Sequence, residues 1–599
     1  MASATFTISC TATTNPIFAS NSYHLHKPSK LLLNPNPPRH RRSKLTCAAS
    51  SSKDQTPSPE KNISPDMTLD RRNVLLGLGG LYGAYNLSFS GGGALARPVP
   101  PPEIKKCGKA IISNSNGAYV PYSCCPPSSD TIVDYKLPEF SKLNVKPAAH
   151  TVDAEYLEKY KTAVQKMKEL PHDDPRSWYQ QANVHCAYCN EAYTLSDGVT
   201  TYQIHNSWLF FPFHRWYLYF HERILQSLIN DPTFALPYWN WDNPRGMFIP
   251  EIFDDPDSSL YDKGNRDLIN TKDYVVDLSY SPNSVDTYGK KELLTVRNNL
   301  AIMYRQMMGT TSPTLFFGHV LRGEGYDGKS GGGSIESGAH TAMHLWVGNR
   351  ENTYREDMGN FYSAANDPLF YCHHGNVDRM WSIWKTLPGK RRHDCSDPDY
   401  LQSEFLFYDE NKDLVKVKVQ DCLDHSKLGY TYQPMPTPWE KCRPTWKKKA
   451  VLKSTKKSFP PASNILPTNL KHTITFTVMR PNIDRSQQEK EDVDEILELG
   501  LKYDETKYIG FDVFLNEDNE CTSSELDRPE YVGNFSNLAH THKKGDDPKE
   551  VKFNLALTEL LEDLGLESER CISVTLVPKC DGEFLTITEA TLSLPSAVC

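Results

Sequence analysis

His340 and His344 stand four residues apart in GGGSIESGAHTAMHLWVGN. On a helix that spacing puts both rings on one face, one turn apart, which suits two imidazoles on one metal ion. The zinc-hydrolase version of the pattern carries Glu directly after the first His. Thr341 fills that place here, which disfavours a hydrolytic zinc site. Roughly thirty residues on, His373-His374 follows Asp367-Pro368-Leu369-Phe370, and one of the pair can complete a three-histidine set. A lone pair at this spacing is more often an ordinary helix face. A second group upstream changes the weighting: His185 in NVHCAYCN, His205 in QIHNSW and His214 in FFPFHRWYLYFHERI. Three imidazoles and three more, with no carboxylate among them, suit copper better than magnesium or calcium.

These two segments resemble the paired copper-binding regions of the type 3 copper proteins, specifically the plant polyphenol oxidases (catechol oxidase and tyrosinase) in precursor form. The resemblance implies two copper ions per chain in one dinuclear centre, with O2 as co-substrate. The first copper would take His185, His205 and His214. The second would take His340, His344 and His374, the second His of its pair, with His373 pointing elsewhere. The activity implied is oxidation of catechols to o-quinones with reduction of O2 to water. Glu336 matches an acidic residue that orients a water in members that hydroxylate monophenols. Thr341 stands where the strongest hydroxylases carry Asn, so strong diphenolase and weak or no monophenolase activity is expected. Phe361 matches a bulky gate over the first copper; its alternative is core packing. Phe370 is expected to pack on a ligand ring. Asp378 in NVDRMW is a candidate to hold the far nitrogen of a ligand ring, or equally a helix salt bridge to an Arg. Cys189 matches a cysteine that forms a thioether to the second histidine of the first site, here His205. Without the resemblance it is a small buried hydrophobe or a disulfide partner. The family pattern also implies disulfides Cys107–Cys125 and Cys124–Cys186, the second next to His185. Such links act mainly on the unfolded chain, at about 2–4 kcal/mol each.

The elements that must position these residues are legible in part. Thr151 to Leu170 reads as an amphipathic helix with Leu157, Tyr160, Val164 and Met167 inward and Thr151 as its cap. Phe211 to Ile229 has helical period and carries His214. Lys291 to Met308 reads as a helix with Leu293, Val296, Leu300, Met303 and Met307 inward. The fold class is a mainly α catalytic domain with long loops, which in the resembled family is a four-helix bundle around the dicopper site. A C-terminal β-sandwich-like domain follows. There Ile474, Phe476 and Val478 alternate, as do Ile509, Phe511, Val513 and Leu515, and again Ile572, Val574 and Leu576. YIGFDVFLN resembles the KFDV motif of the family's C-terminal domain, although Ile509-Gly510 replaces its basic start. Tyr430-Thr431-Tyr432 resembles the Tyr-x-Tyr landmark near the end of the catalytic domain.

The 599 residues exceed one compact domain. Residues 1–96 read as a bipartite targeting peptide. The first 53 positions lack Asp and Glu and are rich in Ser and Thr; then Arg71-Arg72, a short apolar run and Ala94-Leu95-Ala96 form a second export signal. Two signals in series point to a chloroplast and its thylakoid lumen. Residues 97–440 form the catalytic domain, 441–465 an exposed cleavable linker open to an activating protease, and 466–599 a domain that shields the site and keeps the precursor latent. A net charge of -8 points to no nucleic-acid partner, and no run of 18 apolar residues implies a membrane span. The early cysteines favour an oxidising compartment. Small phenols are the partners implied.

Three other readings compete. A biosynthetic phenol oxidase such as an aurone synthase shares these motifs. A haemocyanin-like O2 carrier shares the dicopper core, but the signals and Cys189 argue against it. A zinc-stabilised structural protein lacks a second Cys-x-x-Cys pair at suitable spacing.

Overall fold

The computed structural model describes residues 98–113, 119–195, 201–267, 272–282, 292–323, 330–444, 458–517, 525–539 and 548–595. The two export signals, Arg97, most of the linker, Cys521 and Cys599 lie outside the described residues.

Six helices organise the catalytic region. Helix α1 (Ala154–Lys168) buries Tyr160, Ala163, Val164 and Met167. Its cap is Asp153, which accepts from the Tyr156 N–H at 2.8 Å. Thr151, the expected cap, lies two residues too early and donates instead to the Ala148 carbonyl. Helix α2 (Trp178–Cys189) starts on Ser177, whose hydroxyl accepts from Gln180 N–H. Helix α3 (Phe210–Ile229) is buried along its whole first three turns, so it runs through the core rather than along its surface. Helix α4 (Glu292–Met303) continues into one π turn, Tyr304–Met308. Only its later part enters the core. Met303 and Met307 are fully buried, whereas Leu293, expected inward, is 82% exposed because the first turn overhangs the core. A second π turn, Glu336–His340, kinks at Gly338 and leads into α5 (Thr341–Val347). Helix α6 (Leu369–Trp384) closes the set.

Aromatic rings fill the space between them. Phe316 lies between Phe211 (4.8 Å) and Trp384 (4.3 Å), stacked on both. Each such side chain contributes roughly 1.5–3 kcal/mol by leaving water. A buried ionic seam joins α3 to α6. Arg215 meets Asp378 at 2.5 Å and lies 3.6 Å over the Trp381 ring, and Tyr430 and Tyr432 both donate to Asp378. The Tyr430–Tyr432 strand pairs in parallel with Asn144–Lys146, tying the N-terminal arm to this seam. Cys107–Cys125 and Cys124–Cys186 are closed disulfides, the latter anchoring the arm beside His185. Cys395 is also disulfide-bonded; Cys422, Cys442, Cys571 and Cys580 are not.

The C-terminal region is a sandwich of two antiparallel sheets. Its strands are β1 (Thr468–Asn469), β2 (Ile474–Met479), β3 (Ile496–Tyr503), β4 (Gly510–Leu515), β5 (Tyr531–Ser536), β6 (Lys549–Ala556), β7 (Cys571–Cys580) and β8 (Leu585–Ser593). One sheet runs β6-β3-β8-β1, the other β5-β4-β7-β2. Strand β4 is buried on both faces. Phe511 and Val513 pack inside the sandwich, whereas Phe514 joins the core of the catalytic region together with Tyr531, Leu538 and Val577. Among the described residues the ion pairs across this face are one-sided, with the cations on the helical side. Arg297, Lys390, Arg391 and Arg443 of the helical region pair with Asp527, Asp492, Asp494 and Glu559 of the sandwich.

Candidate metal centre

Helix α2 brings in His185, α3 His214 and the loop before α3 His205; the ligand nitrogens of the three lie within 4.8 Å of one another. The Glu336–His340 turn, α5 and α6 bring His340, His344, His373 and His374 together within the same limit. The two groups abut. His214 stacks on His374 with ring centres 4.0 Å apart, and His205 faces His340 at 5.8 Å. All seven rings are buried.

Backbone carbonyls orient the rings. The Nδ1 atoms of His185, His214 and His344 lie 2.7–2.8 Å from the carbonyls of Phe361, Phe210 and Met358, and that of His340 lies 3.2 Å from Glu336 O. An Nδ1–H donor leaves the Nε2 lone pair facing inward. Burial and mutual repulsion hold His205, His214, His340 and His374 far below the usual imidazole range, and burial takes His344 down to about 4. The Nε2 atoms of His205, His214 and His340 meet no hydrogen-bond donor. Buried, neutral, unpartnered imidazole nitrogens in two adjoining groups are costly without a ligand of their own. They fit a pair of copper ions, and no carboxylate joins either group.

His373 does not stand apart as expected, since α6 carries it into the second group. The two neighbours nevertheless differ. His374 Nε2 lies 3.4 Å from His344 Nε2, on the side facing the first group. The His373 ring lies against His344 (4.9 Å), His340 (5.3 Å) and Trp241 (6.0 Å), all on the second-group side. Asp378 holds no ligand ring. Its oxygens are taken by Arg215, Tyr430 and Tyr432, so the salt-bridge alternative is the one observed. Phe370 packs on His374 (4.4 Å) and His185 (4.9 Å). The Phe361 ring lies 4.4 Å from His205, and its carbonyl faces His185. Cys189 is buried, is in no disulfide, and lies near enough to Glu336 for that carboxyl to help raise its thiol pKa.

Glu336 is buried, and its carboxyl is pushed up to about 8 although it accepts from the Asn206 N–H at 2.6 Å. The Thr341 hydroxyl is committed to the Glu336 carbonyl at 2.8 Å. Glu336 and Thr341 line a small cleft with His205, Asn206, Ser337 and Phe361. Its other wall is Tyr503, Glu505 and Ser536 to Leu538 of the sandwich. The shielding domain was expected from the sequence, but the residues that form its wall and the orienting carbonyls were not, because neither depends on a recognisable side-chain spacing.

Three family models match. The common central domain of tyrosinase covers residues 175–387, the polyphenol oxidase middle domain 394–445, and the chloroplastic polyphenol oxidase C-terminal domain 466–594. Catechol oxidase B, chloroplastic, of Solanum tuberosum is 48% identical over 96% of this chain and 96% of its own length. The chain belongs to the plant polyphenol oxidase family. The structure of latent apple tyrosinase matches with a TM-score of 0.72 and 46% identity, over 78% of this chain and all of that one. Latent aurone synthase matches with a TM-score of 0.76 and 40% identity, over 83% of this chain and all of that one. Membership in the polyphenol oxidase family implies a dinuclear copper centre, and the two histidine groups are the places that fit it. Among the described residues no helix is long and apolar enough to cross a membrane.

Proposed function

We propose that this protein oxidises o-diphenols to o-quinones, with O2 reduced to water, at two coppers held by His185, His205 and His214 and by His340, His344 and His374. The observation that carries the reading is the pair of abutting groups of neutral, inward-facing imidazoles. His374 is preferred to His373 because its ring stacks on His214 of the first group and its Nε2 lies 3.4 Å from that of His344. The copper pair would supply the two-electron redox step; the chain supplies the rest. Phe361 forms an apolar wall of the cleft for a phenol ring, and Phe370 packs behind it on the rings of His185 and His374. Glu336 is placed to hold or accept a proton at the cleft, and the Thr341 hydroxyl beside it is already engaged by the Glu336 carbonyl. This favours diphenol oxidation over monophenol hydroxylation. A Cys189–His205 thioether would fix a ligand ring that, like His374, has no carbonyl partner.

The precursor is latent because the sandwich forms one wall of the cleft, with Leu538 buried at its edge. Proteolysis within residues 441–465 would release that wall. Residues 1–96 would direct the chain to the chloroplast, as the names of its relatives state for them, and the twin arginine to the thylakoid lumen. The deciding experiment is oxygen uptake with a simple catechol, on copper-loaded protein starting at Arg97, before and after cleavage in 441–465. Uptake that rises on cleavage is expected. No uptake in either form, with two coppers bound, would sink the oxidase reading and favour an O2 carrier. Preference for an aurone precursor over simple catechols would favour a biosynthetic oxidase of the aurone synthase kind.

A further inference from the structure

The two π turns face each other. π turns are uncommon and concentrate at functional sites. One, Glu336–His340, carries the Glu336 carboxyl and the first histidine of the second group; the other, Tyr304–Met308, is followed by Gly309 and carries no histidine. Gln306 bridges them. It is buried, its Oε1 accepts from the Ala339 N–H at 3.3 Å, and its carbonyl accepts from the Ser334 hydroxyl at 2.9 Å. Its amide lies flat on the kink: a Cβ on Gly338 would sit 1.9 Å from Gln306 Nε2. Ala339 directly precedes His340, and the Glu336 carbonyl in the same turn faces His340 Nδ1 and accepts from Thr341. The glutamine thus fixes the turn on which the ring angle of His340 and the place of Glu336 both depend. Its neighbours hold the sandwich. The Tyr304 hydroxyl donates to Glu559 at 2.5 Å, and the Arg305 guanidinium donates to the carbonyls of Tyr531 and Pro529.

We infer that Gln306 is a positioning residue for the second metal site, holding the Glu336–His340 turn from a helical bulge that also grips the C-terminal domain. The inference rests on the dicopper reading. No side chain of Gln306 need touch substrate or metal. Outer groups of this kind typically change metal affinity by about 10–100-fold when removed.

The test compares copper-loaded full chains of wild type, Gln306→Leu and Gln306→Glu. Leu removes the acceptor for Ala339; Glu keeps an acceptor at the same reach. Copper per chain is measured after dialysis at limiting copper, with the Cu(II) EPR spectrum and the thermal melt. A coupled Cu(II) pair is EPR-silent, and a lone Cu(II) is not. For Gln306→Leu the expected result is copper falling from two towards one, a new uncoupled signal, and second-site affinity weaker by about 10–100-fold; Gln306→Glu should retain both ions. Two coppers and a silent spectrum in Gln306→Leu would overturn the inference. So would equal loss from both sites with a collapsed melt, which would mark scaffold damage, and so would Gln306→Glu failing as badly as Gln306→Leu. If wild type itself does not take up two coppers, the dicopper reading falls first.

Discussion

The two histidine groups reach a similar end by different supports. In the first, His185 and His214 ride on long helices that are buried almost throughout, while His205 comes from a loop and neither of its ring nitrogens has a hydrogen-bond partner. In the second, His340, His344 and His374 lie on helical turns, but the first of those turns is kinked at Gly338 and braced from outside. The first group therefore has rigid elements and one loose ring. The second has two rings oriented by carbonyls and one, His374, held by packing on Phe370 and His214, and its first ring stands on a turn that needs support. Stability and precision are supplied by different parts of the chain in each case, so the two groups should fail differently.

The largest effects test whether the groups are separable. His214→Ala and His340→Ala should each cut catechol oxidation by about 10³-fold or more, ~4 kcal/mol in the barrier, while metal analysis finds the untouched group still loaded. Loss of both ions from either variant would show that the 4.0 Å stack of His214 on His374 makes them one unit. The seam between the groups comes next. Arg215 follows His214, and Asp378 lies one turn after His374, so their buried pair joins the two ligand helices. Arg215→Met leaves Asp378 buried without its cation and should cost about 3–5 kcal/mol in denaturant unfolding. An unchanged midpoint would show that Tyr430 and Tyr432 suffice. Cys189→Ser should have a smaller effect, confined to the first group. It should loosen first-site copper by about 10-fold and remove any cross-linked Cys189–His205 peptide from a digest. A wild-type digest with no such peptide would sink the thioether.

The same asymmetry governs what could be read in the sequence. The two histidine groups were legible because metal chemistry fixes the residue type and helix geometry fixes the spacing. The strands of the sandwich were legible because one face is apolar. What supports the ligands was not. Carbonyls such as Met358 O and Phe361 O belong to every residue type, so no letter marks them. Asp378 has the right type and place for an outer ligand partner, but Arg215 and two tyrosines compete for it and win on charge and geometry. Leu293 kept the helical period yet faces solvent, because periodicity cannot say where a helix leaves the core. Strand β4 alternated in sequence, yet it is buried on both faces because its outer face meets a second domain.

The smallest predicted effect lies in the segment that serves both groups. Met358 O faces His344 and Phe361 O faces His185, so residues 358–361 orient one ring in each. Beside that segment Asp357 and Asp262 form a buried acid pair. Burial, with repulsion between neighbouring carboxylates, pushes Asp357 up to about 8 and Asp262 to about 6. The groups facing them are Asp367 with its partner Arg266, Glu356, and Asn265, which donates to both carboxyls. A carboxyl whose folded pKa is raised binds more protons in the native state than in the unfolded one. Stability is then greatest below the unfolded carboxyl pKa and falls as pH climbs from about 4 towards 8. Asp357→Asn keeps the shape without the charge, so it should flatten that slope and raise stability at pH 8 by about 1–3 kcal/mol relative to wild type. Unfolding midpoints measured at pH 5 and pH 8 decide it. Equal slopes in both proteins would mean that the pair carries no shared proton and that the segment orienting both rings is held by its backbone alone.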